Sequence, residues 1–301
     1  MRVSWCVVTT WYHVHRHSVV RAGAPEYEWG VVEGRSVVEV IVCRTADEVA
    51  EVAAAKVARV CRDVGPRVVI GVATGSSPVA LYESLAQRVK DGRLDMSQAS
   101  AFALDEYVGL PAGHPESYAE VIRQTVTEPL RMNPSLVRTP NGFAEDIEQA
   151  AKDYEQAILD AGGVDVQILG IGSNGHVGFN EPTSSLASRT RIKTLTQTTR
   201  QDNARFFASI DDVPHHCLTQ GLGTIMDARE VVLVAQGEHK AEAIAALVEG
   251  PVTARWPGSV LQLHPHATVV IDSAAAGRLE LRDYYVQTYA EKPSWQRFDA
   301  R

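Results

Sequence analysis

A carboxamide, an imidazole and a carboxylate stand within eight positions of one another in the stretch Leu169–Glu181, which reads LGIGSNGHVGFNE. An imidazole oriented by a carboxylate is an effective proton shuttle near neutral pH. Asn174, His176 and Glu181 are therefore candidates for holding or moving protons. Gly170, Gly172, Gly175 and Gly178 are interleaved with them. Glycine lets the backbone turn sharply and come close to a ligand. The apolar run Val164–Ile171 (VDVQILGI) reads as a buried strand, so the three groups fall on a loop at its carboxyl end. Open α/β sheets bind their ligands in that place.

Three other stretches carry chemistry that complements this loop. Arg67–Val72 reads as a strand, and Ala73-Thr74-Gly75-Ser76-Ser77-Pro78 follows it. A glycine turn with hydroxyls, then proline in the first helical turn, presents free backbone N–H groups to an anion. No Gly-Lys-Ser/Thr follows, so this is not a Walker loop; an ordinary helix cap has a similar look. Asp105-Glu106-Tyr107 stands at the end of a third strand, Ala99–Leu104. Adjacent acids at such a point are either a helix cap or catalytic carboxylates, with Glu106 supporting Asp105. Lys240 opens a helix read as Lys240–Val248, after the strand Glu230–Ala235. Hydroxyls and N–H groups for a phosphate, a lysine, a carboxylate base and a His/Glu pair suit proton transfer on a small phosphorylated substrate. No nucleophile elbow, dinucleotide fingerprint or metal-ligand cluster accompanies them.

The elements that must position these groups alternate strand and helix from Val37 onward. Val38–Cys43 reads as a strand and Thr45-Ala46-Asp47-Glu48 as a capping box opening a helix. A further helix over Ala144–Ala161 and a last strand, Ala267–Ile271, complete a mostly parallel, doubly wound α/β sheet in a single domain, residues 37–301. Residues 1–36 show no sustained period and read as a weakly attached or disordered extension, or as an over-long start. The run His13-Val14-His15-Arg16-His17 would put three imidazoles on one strand face, a remote metal tract. His215-His216-Cys217 lacks ligand spacing and reads as a solvated turn.

With 301 residues, 45% of them hydrophobic, the chain can bury a sizeable core. A formal net charge of −8 argues against nonspecific nucleic-acid binding, while local cations still allow an anionic small molecule. No apolar run reaches the roughly 18 residues of a membrane span, and no cationic head precedes an apolar core at the amino end. Cys6, Cys43, Cys61 and Cys217 are scattered without CxxC spacing, which suits reduced thiols and a cytoplasmic location.

From about Val38 to Tyr289 the chain resembles the glucosamine-6-phosphate deaminase (isomerising) family. The segments that carry the resemblance are ATGSSP (73–78), LDEYVGLPAGHPESY (104–118), GIGSNGHVGFNEP (170–182), SSLASRTRIKTLT (184–196) and LQLHPHA (261–267). The resemblance implies a modified Rossmann-like fold and conversion of glucosamine 6-phosphate and water into fructose 6-phosphate and ammonia, with no cofactor and no metal. It aligns Asp105 with the base that moves a proton between C2 and C1 of the opened sugar. His176 aligns with the histidine that assists ring opening, and Glu181 with the carboxylate that orients it. Gly75, Ser76 and Ser77 match the phosphate loop, with Arg205 and Lys240 as its cationic partners. Asn174 departs from the aspartate that many members carry; an amide cannot take a proton, which leaves ring opening to His176 and Glu181.

The resemblance also implies a mobile lid over about residues 195–215 and a homo-oligomer, a hexamer in allosteric members. Ser184, Arg191 and Lys193 match residues that hold an effector, N-acetylglucosamine 6-phosphate, between subunits of such members. Arg191 and Lys193 alternate on what should be a strand, so both face one way. Tyr284 and Tyr285 fall near an effector-region tyrosine, and His264 and His266 have no assigned role. Three alternatives share the fold. A galactosamine-6-phosphate deaminase remains open; a 6-phosphogluconolactonase leaves the DEYVGLP and SSLASRTRIKTLT matches unexplained; a non-enzymatic sugar-phosphate sensor should carry a basic helix-turn-helix segment.

Overall fold

Alternation of short apolar runs with amphipathic stretches builds a parallel sheet here, because each strand must be covered on both faces by the helices that connect it. A computed structural model describes residues 38–298. The N-terminal extension and its His13–His17 tract lie outside the described residues. The strands are β1 (Glu39–Cys43), β2 (Val69–Val72), β3 (Ser100–Ala103), β4 (Asp105–Tyr107), β5 (Val137–Arg138), β6 (Val166–Leu169), β7 (Arg191–Thr194), β8 (His216–Thr219), β9 (Glu230–Ala235) and β10 (Ala267–Asp272). The helices are α1 (Ala46–Val64), α2 (Val79–Lys90), α3 (Tyr118–Ile122), α4 (Ile147–Asp160), α5 (Gln197–Asn203), α6 (Leu222–Met226), α7 (Ala241–Val248) and α8 (Arg282–Ala290).

Seven strands form one parallel sheet in the order β1-β10-β9-β6-β2-β3-β5. From β2 the chain builds outward through β3 to β5; from β6 it builds the other way through β9 and β10. The order therefore reverses between β2 and β6, and the loops leaving these two strands flank a crevice at the switch point. Strands β2 and β6 are buried at every position, including Gln167 of β6, as strands covered on both faces must be. One apolar cluster packs α1 and α2 on one face through Val57, Leu81 and Leu85. The other face is covered through Tyr154, Ile158, Leu222 and Ile244 of α4, α6 and α7.

The expected mostly parallel, doubly wound sheet is present, and the structure adds a second, smaller sheet at the third strand. Asp105-Glu106-Tyr107 is not the end of the third strand but a strand in its own right, in a second, antiparallel sheet ordered β4-β8-β7. The chain leaves β3, Leu104 N bonds Val72 O at 3.0 Å, and Asp105 then pairs with Thr219 of β8. Three-residue strands with a charged pair carry too little apolar alternation to be seen in sequence. No helix among the described residues is long and apolar enough to cross a membrane. Nor do the described residues hold a group of three or more His, Cys, Asp or Glu that could bind a metal ion.

Candidate functional site

The loop after β6 is held by its own backbone: Gly172 N donates to His176 O at 2.9 Å and Gly175 N to Gly172 O at 3.0 Å. This fold-back lays the His176 imidazole against Gly172. A Cβ at Gly172 would stand only 2.2–2.5 Å from three ring atoms, so only glycine leaves the ring its place. Glu181 is almost fully buried, and His176 Nδ1 lies 3.7 Å from Glu181 Oε2. Asn174 Nδ2 donates to the same oxygen at 2.7 Å, while Asn174 Oδ1 accepts from His176 N at 3.2 Å. A backbone N–H can only donate, which fixes which end of the amide faces the carboxylate. The three groups singled out in sequence are thus brought together. Asn174 does more here than occupy an aspartate's position: it clamps the carboxylate with a hydrogen-bond donor.

Asp105 approaches the same loop from the second sheet. At Gly178 (φ +56°) a Cβ would stand 3.0 Å from Thr219 Oγ1 and 3.4 Å from Asp105 Oδ2, so the carboxylate lies directly under the loop that carries His176. Thr219 Oγ1 accepts from Phe179 N at 3.1 Å and fastens the loop to β8. Asp105 is 5% exposed; burial, and then the neighbouring Glu106, push its carboxyl up to about 8. Both causes penalise the charged form. A carboxylate displaced to this range is a strong base near working pH.

Glu106 holds the frame. Its carboxylate accepts from Tyr107 N at 2.8 Å, Tyr118 N at 2.9 Å and Ala119 N at 2.8 Å, and so anchors the start of α3. Burial raises its carboxyl and the three N–H donors oppose that rise. Tyr118 then stacks on Phe179, ring centroids 6.0 Å apart and planes 8° apart, beside Tyr107. An aromatic wall follows from the DEY segment and the loop together.

The 73–78 turn lies next to this loop. A Cβ at Gly170 would be 3.9 Å from Ser77 Cβ, and Gln236 Nε2, at the end of β9, donates to Ser77 O at 3.4 Å. Gly75 adopts φ +103°, and Pro78, with no side-chain cap bond, leads into α2. Ser76 is exposed and Ser77 half-buried at the amino end of a helix of 12 residues, a favourable place for an anion. Lys240 is half-buried in the 3-10 turn Glu238–Lys240, which precedes α7; the helix begins one residue later than expected, at Ala241. Strand ends β2, β6 and β9 are neighbours, so these loops share one edge. Arg205 is exposed in the 3-10 turn Ala204–Phe206, its guanidinium 4.7 Å from the Phe206 ring centroid.

Arg191 and Lys193 do share a face of β7. The register places Arg191 opposite Thr219 and Thr219 opposite Asp105; the next row is Lys193, Cys217 and Tyr107. Directly paired residues point the same way, so the basic pair lies on the face that carries Asp105, two strands or about 10 Å across. Burial lowers the Arg191 guanidinium, and burial and Asp105 hold the Cys217 thiol well above its usual range. Ser184 is buried on the turn after Glu181, its N–H donating to Glu181 O at 3.0 Å. His264 is buried, with Nε2 2.8 Å from Ala228 O and Nδ1 accepting from His266 N at 3.0 Å, an internal brace.

Residues 44–271 match the family model described as glucosamine-6-phosphate isomerases/6-phosphogluconolactonase. The chain belongs to this family. It is 60% identical over 232 residues to the glucosamine-6-phosphate deaminase of Streptomyces avermitilis, covering 77% of this chain and 89% of that one. Against the glucosamine-6-phosphate deaminase of Streptomyces coelicolor it is 56% identical over 259 residues, 86% of this chain and 99% of the other. A solved structure described as a monomeric glucosamine-6-phosphate deaminase superposes with a TM-score of 0.77 at 40% identity, covering 79% of this chain and 99% of its own. The 6-phosphogluconolactonase of Trypanosoma cruzi superposes with a TM-score of 0.64 at 21% identity, covering 82% and 98%, a likeness of fold alone.

Residues that sequence reasoning passed over are Thr199 and Thr219. Thr219 contacts the loop only because β8 pairs with β4, a register no local pattern reveals. Thr199 is the third residue of a helix capped by Thr196, an element not singled out from the sequence. The structure carries its hydroxyl to Glu181 Oε1.

Proposed function

We propose that the protein converts glucosamine 6-phosphate and water into fructose 6-phosphate and ammonia. What carries this reading is the buried, high-pKa Asp105 beneath a loop in which Asn174 and His176 converge on Glu181, next to an anion-ready helix start. The substrate phosphate is held by N–H groups and hydroxyls of Gly75, Ser76 and Ser77, with Lys240 as a point charge and Arg205 brought in by the 195–215 segment acting as a lid. His176, positioned by Glu181 and Asn174, passes the proton that opens the pyranose ring. Asp105 then removes the C2 proton; the electron pair moves toward C1 and gives an enolamine. Return of the proton to C1 leaves an imine at C2, which water hydrolyses to the ketone with loss of ammonia.

Several supports favour amino-sugar deamination over the lactonase reading. Relatives at 54–61% identity are named glucosamine-6-phosphate deaminases, whereas solved structures described as 6-phosphogluconolactonases are 16–22% identical. An ammonia-release assay on glucosamine 6-phosphate beside galactosamine 6-phosphate, with a lactone-hydrolysis control on 6-phosphogluconolactone, tests the reading. Faster release from the gluco epimer is expected. Release only from the galacto epimer would reassign the substrate, and lactone hydrolysis alone would overturn the reading.

Self-association, up to a hexamer, follows from family resemblance; the solved relative at 40% identity is described as monomeric. Sedimentation velocity decides it: a single species at the chain mass of 32.8 kDa discards the oligomer.

A further inference from the structure

We propose that Thr199 is a positioning residue that ties the 195–215 segment to the Glu181 carboxylate, so that the relay is complete only when that segment is seated. This inference rests on the reading of Glu181 and His176 given above. Helix α5 is capped by Thr196, whose Oγ1 accepts from Thr199 N at 3.1 Å. The one proton of the Thr196 hydroxyl goes to Thr199 Oγ1 at 2.9 Å, and the one proton of the Thr199 hydroxyl goes to Glu181 Oε1. A hydroxyl has a single proton to give, so the direction of the chain from Thr196 through Thr199 to Glu181 is fixed.

The carboxylate is therefore gripped from two sides. Asn174, on the glycine loop, donates to Oε2, and Thr199, on α5, donates to Oε1. With one oxygen held by each segment, the carboxylate cannot rotate away from His176 Nδ1 while both donors are in place. Thr199 and Glu181 are each 5% exposed, so water is poorly placed to substitute for the lost donor. Movement of α5 away from the sheet must take this donor with it. The same segment carries Arg205, so seating of one proposed phosphate ligand and completion of the relay are mechanically one event.

Thr199→Val keeps the shape and keeps the backbone N–H that donates to Thr196 Oγ1, and removes the hydroxyl, which is both the donor to Glu181 and the acceptor for the Thr196 hydroxyl. Thr199→Ser restores the donor. Two readouts apply to the full chain: hydrogen exchange of the α5 amides without substrate, and ammonia release from glucosamine 6-phosphate and from an acyclic analogue that needs no ring opening. Thr199→Val is expected to exchange faster over residues 197–203 and to lose about tenfold in kcat/KM on the cyclic substrate, as loss of a hydrogen bond to a charged group predicts. The acyclic analogue is spared, and Thr199→Ser stays within about threefold of the parent on both. Wild-type exchange in Thr199→Val, or a serine variant as impaired as the valine one, overturns the proposal. Should the parent release no ammonia, the functional reading fails, and the exchange measurement still decides the tie. If the valine variant does not fold, Thr199→Ala makes the same deletion with less bulk and is read the same way.

Discussion

Asp105 holds its carboxyl at about 8 because it is buried beside Glu106 on a strand, and that displacement has consequences for both rate and stability. Asp105→Asn is expected to cost about 10²–10⁴-fold in turnover while leaving sugar-phosphate binding nearly intact. Retention of more than about a tenth of wild-type turnover would remove Asp105 from the role of base. The folded-state pKa lies above the unfolded value, so the folded protein binds more protons between these limits and wild-type stability falls as pH rises from about 4 to 8. Asparagine does not titrate. The melting temperature of Asp105→Asn minus that of the wild type should therefore increase across this window and level off above it; a difference independent of pH would contradict the burial argument. At Asn174 the amide donor faces Glu181 Oε2, so Asn174→Asp replaces a donor with a second carboxylate. The variant should remain active, with the acid limb of its kcat/KM profile moved upward by about one pH unit through like-charge coupling. Superimposable profiles would show that residue 174 does not sense the relay. Lys240→Ala and Arg205→Ala should each weaken a competitive sugar-phosphate inhibitor, since each removes a charge-assisted contact. Unchanged affinity in both would put the phosphate elsewhere.

The loop after β6 works because of what surrounds its glycines rather than because glycines are flexible. Gly172 leaves room for an imidazole whose ring atoms come within 2.2–2.5 Å of an added Cβ. The obstacle is a side-chain end, not backbone, so Gly172→Ala should fold with a melting temperature close to wild type. It should nonetheless lose at least about tenfold in ammonia release, because the displaced ring no longer meets Glu181. A large drop in melting temperature together with full specific activity would reverse this account. Glu106 belongs to the same scale: one buried carboxylate gathers three N–H groups of β4 and α3, and so converts a short strand into a rigid mount for its neighbour, Asp105.

Across the molecule, the reversal of strand order between β2 and β6 sets the 73–78 turn beside the loop of Asn174, His176 and Glu181, and the small antiparallel sheet brings in Asp105, the proposed base, from a third direction. That small sheet also carries Arg191 and Lys193 on the face of Asp105, separated from it by Thr219 and Cys217. An anion held by the basic pair would thus act on the base through a single intervening strand, at a range where partly buried charges are only weakly screened. The expected behaviour is a lower substrate concentration at half-saturation when N-acetylglucosamine 6-phosphate is added, lost in Arg191→Ala and in Lys193→Ala. Saturation curves with and without the compound test it, and a wild type that does not respond would discard the effector role.

Strand and helix order, the switch from buried apolar run to glycine loop, and the chemistry of Asn174, His176 and Glu181 are local properties, and local properties are written in consecutive residues. Strands such as Glu230–Ala235 and the helix after Pro78 were therefore legible to within a residue or so. The family segments supplied the roles proposed for Asp105, Lys240 and Arg205 at positions where composition alone would have left a cap and two surface cations. Tertiary structure decided the remainder, for a common reason: those features depend on pairing between segments far apart in the chain. Strand β4 exists because β8, more than a hundred residues later, bonds to it. The direction of the Asn174 amide follows from a backbone N–H and a carboxylate meeting it from opposite sides. The Thr199 hydroxyl reaches Glu181 only once α5 has packed beside the glycine loop, and no spacing in the sequence announces that bond.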